Sequence, residues 1–228
     1  MRLFDLLESF CENLLSFAGC FLVGMAIQRA QGFPDNNSIR DNYNKSVKGL
    51  AMTAVRSSVP DVLVTTYLQM TQRAQFCPAY IQRDDVTMKL LTEPDIAFYK
   101  SLYAGVGQEL RWRDRLLMSE AELKAALTQP GTSIYVMYVA DNPAGYVELV
   151  KQGREVQIHY FGLFPAYHGM GLGKHLLSYG IEQAWAQGVD RVWVHTCNLD
   201  SPHALDNYLK RGFQIYKLHR YPMPERYY

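Results

Sequence analysis

From Val62 onward the chain alternates short β-branched runs with amphipathic stretches. Val62–Leu68 (VLVTTYL) reads as a strand that opens or edges a sheet. Val86–Leu91 is a second strand, after which Thr92-Glu93-Pro94-Asp95 supplies a cap, an early proline and an acidic first turn for a helix running to about Ala104. Ser119-Glu120-Ala121-Glu122 has the spacing of a capping box, and Leu123, Ala126 and Leu127 form one apolar face behind it. Ser133–Ala140 and Ala144–Lys151 are predicted to pair around a turn at Asp141-Asn142-Pro143, and Gln152-Gly153-Arg154 turns the chain into a strand over Val156–Leu163. A helix is expected from near Gly171, because Leu172, Leu176, Gly180, Ile181 and Ala184 recur at three and four residues, and Gly188 marks its end. Arg191–Thr196 reads as a strand, Pro202–Lys210 as a short helix and Phe213–Leu218 as a last strand. Strands and helices in this order predict an α/β (α+β) sandwich with a mixed sheet.

The N-terminal part has a different pattern. Leu14–Ile27 (LLSFAGCFLVGMAI) carries no charge, but Asp5, Glu8 and Glu12 precede it and only Arg2 is basic. A secretory leader starts basic, and a spanning helix needs about twenty apolar residues. Residues 1–31 therefore read as an apolar helical segment that packs on the domain or a partner; peripheral membrane contact and a leader remain alternatives. Residues 32–60, broken by Gly, Pro and Asn, read as a polar linker, and 61–228 as one domain with its core in 86–218.

Composition narrows the classes. With 228 residues, 48% hydrophobic, the chain holds one full domain plus an appendage. A formal charge of +1, with acids and bases interspersed, lacks the basic surplus of nucleic-acid binding. Cys11, Cys20, Cys77 and Cys197 form no CxxC pair, as expected of reduced thiols in a cytoplasmic protein rather than a disulfide scaffold or zinc knuckle.

The segment FGLFPAYHGMGLGKH, from Phe161, carries the chemistry. A hydrophobic strand enters a loop with alternate glycines that opens directly into a helix. Glycines let the backbone approach a bulky anion, and the helix start adds unpaired N–H groups and the positive end of its dipole. Together these make a phosphate cradle; a plain tight turn is the structural alternative. A P-loop requires glycine where His168 stands and Ser or Thr where His175 stands, and the dinucleotide fingerprint requires glycine where Lys174 stands, so neither fits.

His168-Gly169-Met170-Gly171-Leu172-Gly173 resembles the Arg/Gln-x-x-Gly-x-Gly/Ala loop of the Gcn5-related N-acetyltransferase (GNAT) superfamily, with His168 departing from the usual first residue. The resemblance extends over roughly 86–216 and includes a second signature, Ala204, Tyr208 and Gly212-Phe213; Phe161-Gly162-Leu163 with the run from His195 to Asp200 resembles a bacterial subgroup of uncertain substrate. It implies a mostly antiparallel central sheet with helices on both faces and a splayed parallel strand pair. Between those strands the pantetheine arm of acetyl-CoA, or another acyl-CoA, would pair with Phe161–Leu163, while Gly169–Lys174 hold the diphosphate and a backbone N–H polarises the thioester carbonyl.

Roles follow for individual residues. Tyr208 is expected to protonate the leaving thiolate, with packing or a hydrogen bond to the cofactor sulfur as its alternative. The superfamily often places a Glu where Gln157 stands, and Gln cannot take a proton; Glu148, His159 and an ordered-water route are the candidates for receiving the amine's proton. Ser201 is explained as a helix cap, yet Ser201 or Asn198 corresponds to a cofactor-touching position. His195 faces either the cleft or the core. Tyr103 and Trp112 are candidates to line the acceptor or acyl pocket, although Arg111–Arg115 also fits a solvated charged turn. The six histidines form no metal set, and Cys197 is a core thiol before it is a nucleophile. The expected activity is transfer of acetyl to a small-molecule or peptide amine by direct attack; a non-catalytic acyl-CoA-binding regulator and an anchored domain are the rival readings. An exposed edge strand at Val62–Leu68 would permit an oligomer.

Overall fold

The computed structural model describes residues 59–228. The apolar segment 1–31 and nearly all of the linker 32–60 lie outside the described residues. The elements in chain order are β1 (Val62–Met70), β2 (Val86–Leu90), α1 (Ile96–Gly107), α2 (Asp114–Leu117), α3 (Glu120–Thr128), β3 (Thr132–Val139), β4 (Asn142–Gln152), β5 (Glu155–Leu163), α4 (Leu172–Trp185), β6 (Arg191–Cys197), α5 (Ala204–Lys210) and β7 (Gln214–Pro222). One seven-stranded sheet has the order β2-β3-β4-β5-β6-β1-β7, antiparallel except between β5 and β6. Among the described residues, no helix is long and apolar enough to cross a membrane.

Local chemistry explains most boundaries. Asp95, not Thr92, caps α1, accepting from the Phe98 N–H at 2.6 Å. Ser119 and Glu122 close the capping box on α3 reciprocally. The β3–β4 hairpin turns at Ala140-Asp141, both at positive φ (46° and 65°), so Asn142 and Pro143 belong to β4 rather than to the turn. Two central residues with positive φ give the twist a tight hairpin needs. The α5 helix begins at Ala204, two residues later than the Ser201-Pro202 pattern suggests, with His203 as its cap residue.

The expectation for Val62–Leu68 needs correction. β1 is not an edge strand: it lies between β6 and β7, antiparallel to both, and the edges are β2 and β7. Leu68 and Met70 are fully buried. Because β1 lies next to the β7 edge and β2 forms the opposite edge, residues 71–85 cross over α4. This strap is fastened by the Ala79 N–H to Ser178 Oγ (2.9 Å), the Ile81 N–H to His175 Nδ1 (3.2 Å) and the Cys77 N–H to the Arg211 carbonyl (3.0 Å).

Helices cover both faces. On one side α4 packs against β4, β5 and β6, with Gly180 close against Val147. On the other, α1 packs on β4 and β5 and α3 on β3, closing a cluster that includes Tyr99, Leu102, Tyr103, Leu123 and Ile134.

Candidate active site

The site begins where β5 and β6 part. They pair in parallel only from Glu155/Arg191 to Ile158/Val194. Beyond that point β5 follows β4 as far as the Gly145/Leu163 pair, while β6 follows β1 to the Thr65/Cys197 pair. A bulge opposite Glu148/Leu149 lets one residue of β4 step past His159 and turns β5 away from β6. Phe161–Leu163 and His195–Cys197 therefore edge a fork in which neither strand uses the other as its ladder partner.

The glycine-rich loop sits at the end of β5. Pro165–Tyr167 makes a single 3₁₀ turn, and Gly169 and Gly171 adopt φ of 77° and 74°. Gly171 caps α4 without a side chain, so the first-turn N–H groups have no capping side chain to bond. A Cβ on Gly169 would meet nothing within 4 Å, which leaves the loop's backbone open to a bulky group. These positions fit a diphosphate, which takes several N–H donors at a helix start. His168 Nε2 lies 3.1 Å from the Leu163 carbonyl oxygen and ties the loop to the strand; Lys174 and Met170 are exposed beside it.

On the α4 side of the fork, Tyr208 of α5 meets Phe161 with ring centroids 6.1 Å apart and Phe213 at 5.9 Å. Burial, then the nearby Asp200 charge, raises its phenol pKa well above the usual value, so it holds its proton at neutral pH. Asn198 and Ser201 each make local hydrogen bonds. The Asn198 amide accepts from the Val64 N–H and donates to the Val62 carbonyl, each at 3.0 Å, and so fastens the start of β1. Ser201 Oγ accepts from the His203 N–H at 3.4 Å.

The α1 side is aromatic and polar. Tyr103, Trp112 and Tyr160 form a triangle with centroids 5.1–5.3 Å apart. Trp112 is seated against Gly107, where a Cβ would come within 2.4 Å of the indole, and its Nε1–H points to Asp200 Oδ1 at 3.4 Å. Asp200 also accepts from Thr196 Oγ1 and the Cys197 N–H. Trp112 thus spans the fork, linking the α1–α2 connection to the end of β6.

Glu148 does not point freely into a cleft. Its carboxylate is fully buried, accepting from Arg115 Nη2 and from the Tyr99 hydroxyl, both at 2.5 Å. With both oxygens engaged, it is built as half of an ion pair. Arg115 also stacks over Tyr160 (5.3 Å), and its Nε is buried without a partner. His159, at the bulge, has a buried Nδ1 without a partner, and burial followed by the Arg115 and His195 charges pushes its pKa down to about 3. It is a neutral imidazole. His195 is exposed on the cleft side, 3.5 Å from Gln157 Nε2. The Cys197 thiol is pushed up to about 12, first by burial, leaving it protonated. Among the described residues, no group of three His, Cys, Asp or Glu side chains is placed to hold a metal.

Arg115, Tyr99 and Asp200 escaped sequence reasoning. Arg115 sits in a charge-rich run that looks solvated, and only the fold buries it against Glu148. The Asn-Leu-Asp run after β6 did contain a turn signal for Asp200.

A family model described as the acetyltransferase (GNAT) family matches residues 94–213, more than half of the chain. The chain belongs to that family, and its class of chemistry is acyl transfer. Among solved structures, a GCN5-related N-acetyltransferase from Sphaerobacter thermophilus is 18% identical over 72% of this chain and 52% of its own, with a TM-score of 0.53. An IAA acetyltransferase from Bacillus cereus is 24% identical over 58% of this chain and 79% of its own, with a TM-score of 0.46. An aminoglycoside acetyltransferase from an uncultured soil sample is 17% identical over 56% and 88%, with a TM-score of 0.48. Among curated proteins, none matches the sequence.

Proposed function

We propose that the chain transfers the acetyl group of acetyl-CoA to a primary amine by direct attack in a ternary complex. The observation that carries this reading is the fork between β5 and β6 opening beside a glycine loop that starts α4 with no capping side chain. In this reading the amides of Gly169–Lys174 hold the diphosphate, with His168 keeping the loop against β5. The main chain of Phe161, Gly162 and Leu163 pairs with the pantetheine arm.

The amine nitrogen attacks the thioester carbonyl carbon, and a β5 backbone N–H stabilises the oxygen as it gains charge. Collapse breaks the carbon–sulfur bond. Tyr208 gives its proton to the departing sulfur and recovers one from solvent, and the amine's own proton leaves to water. The phenol carries its proton at neutral pH and its ring lies against Phe161, so a proton is present at the fork. His159 is neutral and offers a hydrogen-bonding nitrogen at the fork rather than a place to store a proton. Glu148, engaged by Arg115 and Tyr99, positions Tyr160 and the α1–α2 connection. Tyr103 and Trp112 wall the acceptor side.

The test is calorimetry with acetyl-CoA, followed by thiol-release assays on a panel of amines. Binding with amine-dependent release of coenzyme A is expected. Binding without release from any amine selects the regulator reading, and no binding at millimolar acetyl-CoA overturns the assignment.

A further inference from the structure

Glycines bring α1 flush against the β5 arm of the fork. A Cβ on Gly162 would come within 2.3 Å of Val106 Cγ1, and one on Gly105 within 2.7 Å of the Phe164 ring. Two residues before Gly162, and so on the same face of the strand, Tyr160 meets Tyr103 and Trp112 at 5.1 and 5.2 Å. Helix and strand therefore touch at each step from 160 to 164, and the α1 side of this arm is filled.

Trp112 reaches across to the other arm. Its N–H donates to the Gly107 carbonyl at 3.0 Å, directly after Arg111, whose φ of 60° is unfavourable for a residue with a side chain. Behind the indole, Gly107 leaves no room: a Cβ there would stand 2.4 Å from three atoms of Trp112. In front, Nε1–H is directed at Asp200 Oδ1 (3.4 Å), while Asp200 Oδ2 holds Thr196 Oγ1 (2.8 Å) and the Cys197 N–H (2.9 Å) of β6. The indole thus joins Tyr160 on one arm to the end of the other, and it cannot retreat toward α1. The glycine loop follows Leu163, so a thioester arm laid along Leu163 to Phe161 carries its acyl end toward Tyr160 and the indole.

We infer that Trp112 sets the length of the acyl group, restricting the donor to acetyl because longer chains meet the indole. The inference rests on the acyltransferase reading and names its donor specificity. A wall backed this closely discriminates by overpacking: each added methylene has to displace the indole, and packed side chains resist that. One indole then serves both partners, walling the acceptor side and ending the acyl pocket.

Calorimetry with acetyl-, butyryl- and hexanoyl-CoA on the full chain, Trp112→Phe and Trp112→Ala tests this without an acceptor. The parent should bind hexanoyl-CoA about tenfold more weakly than acetyl-CoA, with butyryl-CoA between. Trp112→Ala should bind hexanoyl-CoA at least as tightly as acetyl-CoA. Trp112→Phe should fall between parent and alanine variant, since it keeps a ring beside Tyr103 and Tyr160 and loses the second ring of the indole; it carries the test if thermal unfolding shows that Trp112→Ala does not fold. A purely structural Trp112 would weaken all three thioesters alike, and that result overturns the inference. Equal affinity of the parent for acetyl- and hexanoyl-CoA overturns it too. Failure of the acyltransferase reading looks different: the expected length profile with no thiol release from any amine keeps the inference and removes only the transfer, whereas no binding of any thioester overturns both.

Discussion

Arg115 and Glu148 meet as a buried pair, guanidinium Nη2 to carboxylate Oε1 at 2.5 Å, with side-chain exposures of 6% and 0%. Taking two charges out of water is costly, so such a pair stabilises only while both partners remain. Arg115→Met should cost about 3–5 kcal/mol of unfolding free energy because it strands a buried carboxylate. Arg115→Met/Glu148→Leu should recover much of that loss. Urea denaturation of the three proteins measures both. In the proposed mechanism the Glu148 carboxylate positions and does not transfer, so the pH–rate profile of Glu148→Gln should parallel that of the parent; a lost acidic limb would restore it as the proton acceptor.

Tyr208 lies 5% exposed against Phe161. Tyr208→Phe keeps the ring contacts with Phe161 and Phe213 and removes only the proton. Turnover should fall about a hundredfold or more while the acetyl-CoA dissociation constant stays nearly constant. Steady-state rates beside calorimetry check this, and an undiminished kcat removes the assignment.

His159 links stability to acidity. Its pKa is pushed from 6.5 to about 3 in the folded protein, so the unfolded chain binds a proton in that interval that the fold refuses. The stability contribution is complete above about pH 6.5 and is lost as the pH falls toward 3. Denaturation midpoints at pH 7 and pH 4.5 should therefore drop less in His159→Gln than in the parent.

Gly171 and Gly153 separate strain from function. Both have positive φ, 74° and 57°, and alanine at either costs about 1–2 kcal/mol in that conformation. Gly171 caps α4 at the proposed diphosphate site, whereas Gly153 turns the remote β4–β5 hairpin. Thermal unfolding should fall comparably in Gly171→Ala and Gly153→Ala, and only Gly171→Ala should weaken acetyl-CoA binding.

What could be read from the residues alone was local. The capping box at Ser119 and Glu122, the period of α4, the β-branched strands and the glycine loop after β5 each depend on neighbours within one or two turns. They point to the family before any coordinates are seen. Asn198 shows what such reading does not contain: its amide bonds Val64 and Val62, 134 and 136 residues away in the chain.

The tertiary structure decided three things that no window of sequence contains. It placed β1 between β6 and β7, because a β-branched run has the same propensity at an edge as in the middle and only pairing partners choose. It turned Glu148 from a free carboxylate into the partner of Arg115, because burial of a charge is set by elements distant in the chain. It also set Trp112 between Tyr160 and Asp200, since the packing of α1 on β5, and not spacing along the chain, brings those groups together.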